Sequence, residues 1–452
     1  MRLTLKTPAV ALAILTLAVG LPALADPNAN VPSAPADPAP KAAEPKDLLG
    51  NMVVVAAATR SLPKIGVVPS LSAEMEDVTL RSVVRRDLDL CGEFDLLSDA
   101  AAPDGLYLDD SPVDASAWGK KGAEAVIRVS ARKIEGSPDK VLLIGQAFLV
   151  KSGETPVFEK KSTVLASSVR ASSHRMADAL IGALTGQNGG FASRLTFASG
   201  AGKTRRAYVI DADGNNAKGV SSEAETAVGP AFGKGEELYW ASSKDNAPYR
   251  IKSESGKDIP LGVSGSVYGI AFSKDRSKVA VSVGQGSGIR LFLGPDFEHL
   301  TQGTSAPFAM EPAFTPTGKV AFVGLGATGQ SQRVYVDDKP VTPDGVFAMS
   351  PTFCNHPDGV KLVFAAGAGA ESDLFATGEQ GGSVIRLTQD QGKNASPACS
   401  PDGRLVAFFS TRTTGDGPGL YVMRTDGLRA KRISPLVGDS LRWDPLPPQP
   451  AQ

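Results

Sequence analysis

One unit recurs through the C-terminal half of this chain: an apolar run, a polar turn that often holds glycine, then a second apolar run. It appears as Pro230-Ala-Phe232-Gly-Lys-Gly-Glu-Glu-Leu238-Tyr-Trp240, as Ile270-Ala-Phe272 … Val279-Ala-Val281, as Pro312-Ala-Phe314 … Val320-Ala-Phe322, as Pro351-Thr-Phe353 … Leu362-Val-Phe364 and as Pro397-Ala-Cys399 … Leu405-Val-Ala-Phe408. A truncated copy, Leu441-Arg-Trp443-Asp-Pro445, ends the series. The anchors at 232, 272, 314, 353, 399 and 443 are 40, 42, 39, 46 and 44 residues apart. A period of about 42 residues with four short strands per unit is the spacing of a β-propeller blade. A four-stranded blade cannot bury both its faces alone, so blades stack and close into a ring. Regular intervals of this kind argue against a β-sandwich. Asp358-Gly359 and Asp402-Gly403 supply the positive φ that a tight hairpin needs; Lys234-Gly235, Asp275-Arg276 and Thr317-Gly318 stand at that place in the other copies. The sixth unit lacks outer strands, and Leu195–Val220, upstream of the first anchor, can supply them and so fasten the two ends of the ring.

Upstream, strand and helix signals alternate. Ile65–Val68, Phe94–Leu97, Ala123–Val129, Val141–Val150 and Val157–Leu165 read as strands, with helices over Glu74–Leu90 (stripe Leu80, Val83, Val84, Leu88) and Asp114–Lys121. Ser173 is placed to cap a last helix with Met176, Leu180 and Leu184 on its core face, ended by Gly186. The expected fold class is therefore a mixed α/β N-terminal domain (60–198) followed by an all-β six-bladed β-propeller (199–447) and a short tail (448–452).

The first residues carry Arg2 and Lys6, then an apolar run from Ala9 to Leu24 that ends Ala23-Leu24-Ala25. This pattern predicts a secretory signal peptide (1–25) cleaved after Ala25, and export of the mature chain. A proline- and alanine-rich stretch follows (26–59), read as an extended tether. The net charge of -1 gives no electrostatic footprint for nucleic acid. Three cysteines, Cys91, Cys354 and Cys399, are too few for a disulfide framework and lack CxxC spacing, so each is expected to be a buried thiol.

Catalytic patterns fail on inspection. Ser199-Gly-Ala-Gly202-Lys203-Thr204 has Phe197 where a phosphate loop needs glycine, and Arg206–Ile210 after it reads as a strand. Asp211-Ala-Asp213-Gly214 starts like a calcium loop but has Ser222 at its twelfth position. His174, His299 and His356 show no metal-ligand spacing. Gly284-Gln-Gly286-Ser287-Gly288 has the wrong register for a nucleophile elbow. No catalytic residue, cofactor site or metal site is expected. A propeller offers instead a rigid surface. The turns into the innermost strands (Ser266–Gly269, Ala309–Glu311, Ala348–Ser350, Asn394–Ser396) should gather at one mouth of the channel. Tyr268 and Met310 are the best anchors there for a partner, beside Ser266, Gly269 and Glu311. A propeller hydrolase or lyase would need a cluster of acids at that mouth, and only Glu311 stands at a suitable turn. A ligand-binding or adhesion propeller of another kind is the remaining alternative.

Three features resemble the TolB family of the Tol–Pal system: the segment His174-Arg-Met-Ala177-Asp178 … Leu184-Thr185-Gly186 … Gly190-Phe191-Ala-Ser-Arg194, the strand start Gly122-Ala-Glu-Ala-Val126, and the run of Ser-Pro-Asp-Gly-type blades opened by Asp211-Ala-Asp213-Gly214-Asn215. The resemblance covers about 60–447. It implies a periplasmic, non-enzymatic scaffold that binds a peptidoglycan-associated lipoprotein (Pal) through the propeller. It also implies contact with TolA-like inner-membrane protein through the mature N-terminus, where this chain has Asp26 and the proline-rich stretch. The family's roles in outer-membrane integrity, cell division and protein import would follow.

Overall fold

The computed structural model describes residues 61–444 except 106, 108–110, 328, 330, 369 and 370; the leader, the tether and the tail lie outside them. The N-terminal domain is built from β1 (Lys64–Val67), α1 (Met75–Leu90), β2 (Asp95–Leu96), α2 (Ala115–Lys120), β3 (Ala125–Ile134), β4 (Ser137–Leu149), β5 (Phe158–Leu165) and α3 (Val169–Thr185). Its sheet runs in the order β2-β1-β3-β4-β5, with β1 parallel to both neighbours and the rest antiparallel. The periodic apolar residues decide which faces meet. Leu80, Val83, Val84 and Leu88 of α1 and Met176, Ala177, Leu180 and Ile181 of α3 are all buried. Asp114 caps α2, its carboxylate accepting from the Ala117 N–H at 2.8 Å. Gly186 closes α3 at φ +82, a conformation cheap only for glycine.

One expectation for α3 needs correcting. Ser173 is not its cap. A short 3-10 turn, Ala166–Ser168, leads directly from β5 into a helix that starts at Val169. Ser173 sits inside that helix, and its hydroxyl donates back to the Val169 carbonyl at 2.8 Å, which satisfies a polar group that is fully buried.

The C-terminal part is a six-bladed propeller of four-stranded sheets. Five blades are continuous in sequence, with innermost strands Thr226–Phe232, Ser266–Phe272, Met310–Phe314, Ala348–His356 and Asn394–Cys399, here blades 1 to 5. The closing blade takes its innermost strand from Asp439–Trp443 and its other three from β6 (Arg194–Ser199), β7 (Arg206–Asp211) and β8 (Lys218–Gly219). The borrowed strands expected upstream are therefore present. The whole of β6 belongs to the ring, so a boundary between 198 and 199 would cut a propeller strand.

Each innermost strand carries a register shift near its start. In five of them a left-handed residue stands at the shift: Gly229, Glu311, Ser350, Ser396 and Ser440, with φ between +48 and +56. Two of these residues reach the next blade. Glu311 Oε2 accepts from the Ser350 N–H at 2.5 Å, and Ser396 Oγ accepts from the Ser440 N–H at 3.2 Å.

The cysteine expectation is overturned. Cys354 of blade 4 and Cys399 of blade 5 form a disulfide, with Cα atoms 5.1 Å apart. Neighbouring innermost strands bring these two side chains together although 45 residues separate them. Cys91 alone stays a buried thiol, its pKa pushed up to about 12 by burial.

The two domains share one hydrophobic core. Ile65, Leu80 and Leu180 belong to the same buried cluster as Phe197, Leu405 and Trp443. Polar contacts frame it: Lys431 Nζ to Asp89 at 2.6 Å, Arg429 to Asp95 at 2.6 Å, Gln187 Nε2 to the Asp402 carbonyl at 2.9 Å and Arg404 to Thr185 Oγ1 at 3.0 Å. These contacts fall on hairpin turns of blade 5, at the end of the ring where the innermost strands finish.

Candidate functional site

The ring has two mouths, and the repeat builds each. Where the innermost strands finish, the anchors Phe232, Phe272, Phe314, Phe353, Cys399 and Trp443 line one cavity of about 180 Å³. Arg276 crosses this mouth. Its guanidinium meets Asp444 of the closing blade at 2.6 Å and donates to the Phe232 carbonyl of blade 1. Burial raises the pKa of Asp444 to about 6 against the pull of Arg276 and Arg194. Arg276 also takes the left-handed φ of +60 at a turn where the other blades have glycine, held there by these contacts.

The other mouth is where the innermost strands begin. Ser266, Tyr268 and Gly269 lie on blade 2, and Met310 and Glu311 on the adjacent strand of blade 3. Tyr268 and Met310 are half-buried, and Gly269 is buried. A Cβ on Gly269 would come 2.8 Å from Pro312 Cδ, so glycine lets the two blades approach. Ser266 Oγ accepts from the Tyr249 N–H of blade 1 at 3.0 Å and so ties blade 2 to its neighbour. Glu311 is an interblade link as well as a mouth residue. Burial raises its pKa, and it faces Arg442, whose pKa burial lowers. Arg442 reaches across from the closing blade to the Pro312 carbonyl at 3.3 Å. The structure thus places the five expected residues on neighbouring strands at one mouth.

A second polar centre lies at the domain junction; His174 and the Asp211-Ala-Asp213 turn are read separately in the sequence, and no local pattern joins them. Asp87 of α1, Arg170 and His174 of α3, Asp211 at the end of β7 and Asp213 just after it converge there. Asp87 Oδ2 lies 2.7 Å from His174 Nδ1. Arg170 bonds Asp211 at 3.0 Å and Asp213 at 2.5 Å. Arg86 Nε donates to the Asp213 carbonyl at 2.8 Å. Burial raises the pKa of Asp87 to about 6, with His174 opposing. Burial opposes the charged His174 ring, but the aspartates outweigh it and the pKa is raised. Asp213 is held low despite burial by Asn215, His174 and Arg170. The other histidines are local: His356 Nδ1 accepts from the Asp358 N–H at 3.1 Å, and His299 pairs with Asp296. Beside the junction lies a cavity of about 350 Å³ lined by Arg170, His174, Arg194, Asp211, Glu236 and Asp444, among others.

An α/β domain seated on a closed six-bladed propeller is the class that this fold defines. The family model described as the TolB amino-terminal domain matches residues 51–141. The Tol-Pal system protein TolB of Thiobacillus denitrificans is 32% identical over 34% of this chain and 35% of its own length. That of Albidiferax ferrireducens is 26% identical over 37% of this chain and 39% of its own length. The chain therefore spans little more than a third of these curated relatives in alignment. A crystal structure of TolB from Acinetobacter baumannii shares the fold, with a TM-score of 0.69 and 21% identity over 85% of this chain and 97% of that one. The chain is thus similar to TolB proteins, in sequence over its N-terminal part and in fold over most of its length.

Proposed function

We propose that this chain is a non-enzymatic periplasmic adaptor of the Tol–Pal system. In this reading a peptidoglycan-associated lipoprotein seats on the propeller mouth formed by Ser266, Tyr268, Gly269, Met310 and Glu311. A TolA-like inner-membrane protein is engaged through the α/β domain or the N-terminal stretch. Export through a leader cleaved after Ala25 delivers the chain, and the assembly serves outer-membrane integrity and envelope constriction at division. Among the described residues no helix is long and apolar enough to cross a membrane.

The observation that carries this reading is the division of the ring into two unlike faces. The α/β domain docks at the end where the innermost strands finish, and the mouth with Tyr268 and Met310 is at the opposite end. Half-buried aromatic and thioether side chains on a rigid rim suit a protein hot spot. The test is binding of the mature chain to the peptidoglycan-associated lipoprotein of the same genome. Saturable binding, weakened at least tenfold by Y268A together with M310A, is the expected result. No binding at high micromolar concentration would defeat the proposal.

A further inference from the structure

We propose that His174, Asp211 and Asp213 form a binding site for a divalent transition-metal cation at the junction of the two domains. The donors come from the α/β domain and from the closing blade. One ring nitrogen of His174 and one carboxylate oxygen from each aspartate lie within 4.8 Å of one another. His174 Nε2 is 4.0 Å from Asp211 Oδ2. Ligands held about 2.1 Å from a tetrahedral zinc ion stand about 3.4 Å apart, so the group needs to contract by about 1.4 Å at most to grip an ion.

The state of the ring is an independent sign. His174 is 4% exposed, yet its Nε2 has no hydrogen-bond partner. Its Nδ1 faces Asp87, which is itself wholly buried. A carboxylate at Nδ1 holds the proton there and turns the Nε2 lone pair outward, the arrangement that supports metal-bound imidazoles. Nε2 lies 4.0 Å from Asp211 Oδ2, so a neutral ring sets its lone pair near carboxylate oxygens, a costly arrangement that a proton or a metal cation between them relieves. Arg170 is the cation that now neutralises the two aspartates, and it competes with a metal for them. The adjoining cavity of about 350 Å³, lined by both Arg170 and His174, gives the guanidinium room to withdraw and the ion a path and water ligands. One imidazole and two carboxylates suit zinc, cobalt or nickel better than calcium or magnesium, which prefer all-oxygen shells. The bound ion would clamp α3 to the closing blade.

The test is calorimetric titration of residues 26–452 with zinc chloride at neutral pH. One ion per chain is expected, with affinity lowered at least tenfold by H174Q and by D211N, and about 10–100-fold by D87N. Asp211 lies at the end of β7 with its side chain 24% exposed, so D211N keeps the test valid if H174Q fails to fold. R170Q should bind several-fold more tightly. Cobalt in place of zinc should give visible absorption bands that D211N removes. Absence of saturable zinc binding to the natural chain, affinity unchanged from that of the natural chain in folded H174Q or in D211N, or loss of binding in H299A would overturn the proposal.

Discussion

The indole Nε1 of Trp443 donates a 2.7 Å hydrogen bond to the hydroxyl of Ser193, joining residues 250 positions apart. Trp443 is the sixth repeat anchor and Ser193 immediately precedes β6, so this bond pins the seam of the ring. Trp443 also belongs to the core that both domains share. W443A should cost about 3–5 kcal/mol and S193A about 1 kcal/mol. Urea unfolding followed by fluorescence and circular dichroism measures both, and a W443A loss below that of S193A would contradict this account of the seam.

Glycine matters unequally in the blade turns. Gly403 has φ +75, and a Cβ there would lie 2.3 Å from the Asn355 carbonyl of blade 4. Gly235 has φ +69 with nothing within 4 Å of that Cβ. G235A therefore bears only the left-handed penalty of about 1–2 kcal/mol. G403A bears that penalty plus a backbone collision, and should lose several-fold more or fail to accumulate folded. Paired denaturation midpoints check this; equal losses would show that the blades can part at no cost.

The pairing of Cys354 with Cys399 fixes a thiol count. Denatured without reductant, the chain should titrate one thiol, that of Cys91, and after reduction three. Replacing both paired cysteines by serine should cost about 2–4 kcal/mol, in line with the loop the bond closes. Three reactive thiols in unreduced protein purified from an oxidising compartment would refute the pairing.

Asp178 gives the junction a pH dependence. Its carboxylate accepts from the Phe191 and Ala192 N–H groups, both at 2.8 Å, yet burial pushes its pKa up to about 7 from 3.8. A folded-state pKa above the unfolded one means that the folded chain binds the proton more tightly. The stability this group contributes is full below about pH 4 and is lost as pH rises through about 7. D178N should flatten that slope whatever its effect at one pH. Unfolding free energies at pH 5 and pH 8 for both chains decide it: an unchanged slope in D178N would assign the pH dependence elsewhere.

Periodicity made the ring legible. The spacing of Phe232, Phe272, Phe314, Phe353, Cys399 and Trp443 gave blade number and closure, because each blade repeats one burial problem. The mouth residues Tyr268 and Met310 followed from the same register. What stayed hidden depends on contacts between blades or between domains. Cys354 and Cys399 look like two apolar strand residues until adjacent blades set them side by side. Glu311 looked like a lone acid, but its partners Ser350 and Arg442 come from other blades. His174 and Asp87 share no local spacing with the Asp211-Ala-Asp213 turn, and only the docking of α1 and α3 on the closing blade gathers them. Arg276 stands where a turn expects glycine, and its reason, Asp444, is 168 residues away.

The strand Asp439–Trp443 acts as a latch. Until it arrives, β6 presents a bare row of amides and carbonyls, the kind of edge that invites other chains. Ring completion thus waits for Asp439–Trp443, and a molecule halted before Asp439 would be left sticky and open rather than merely shorter.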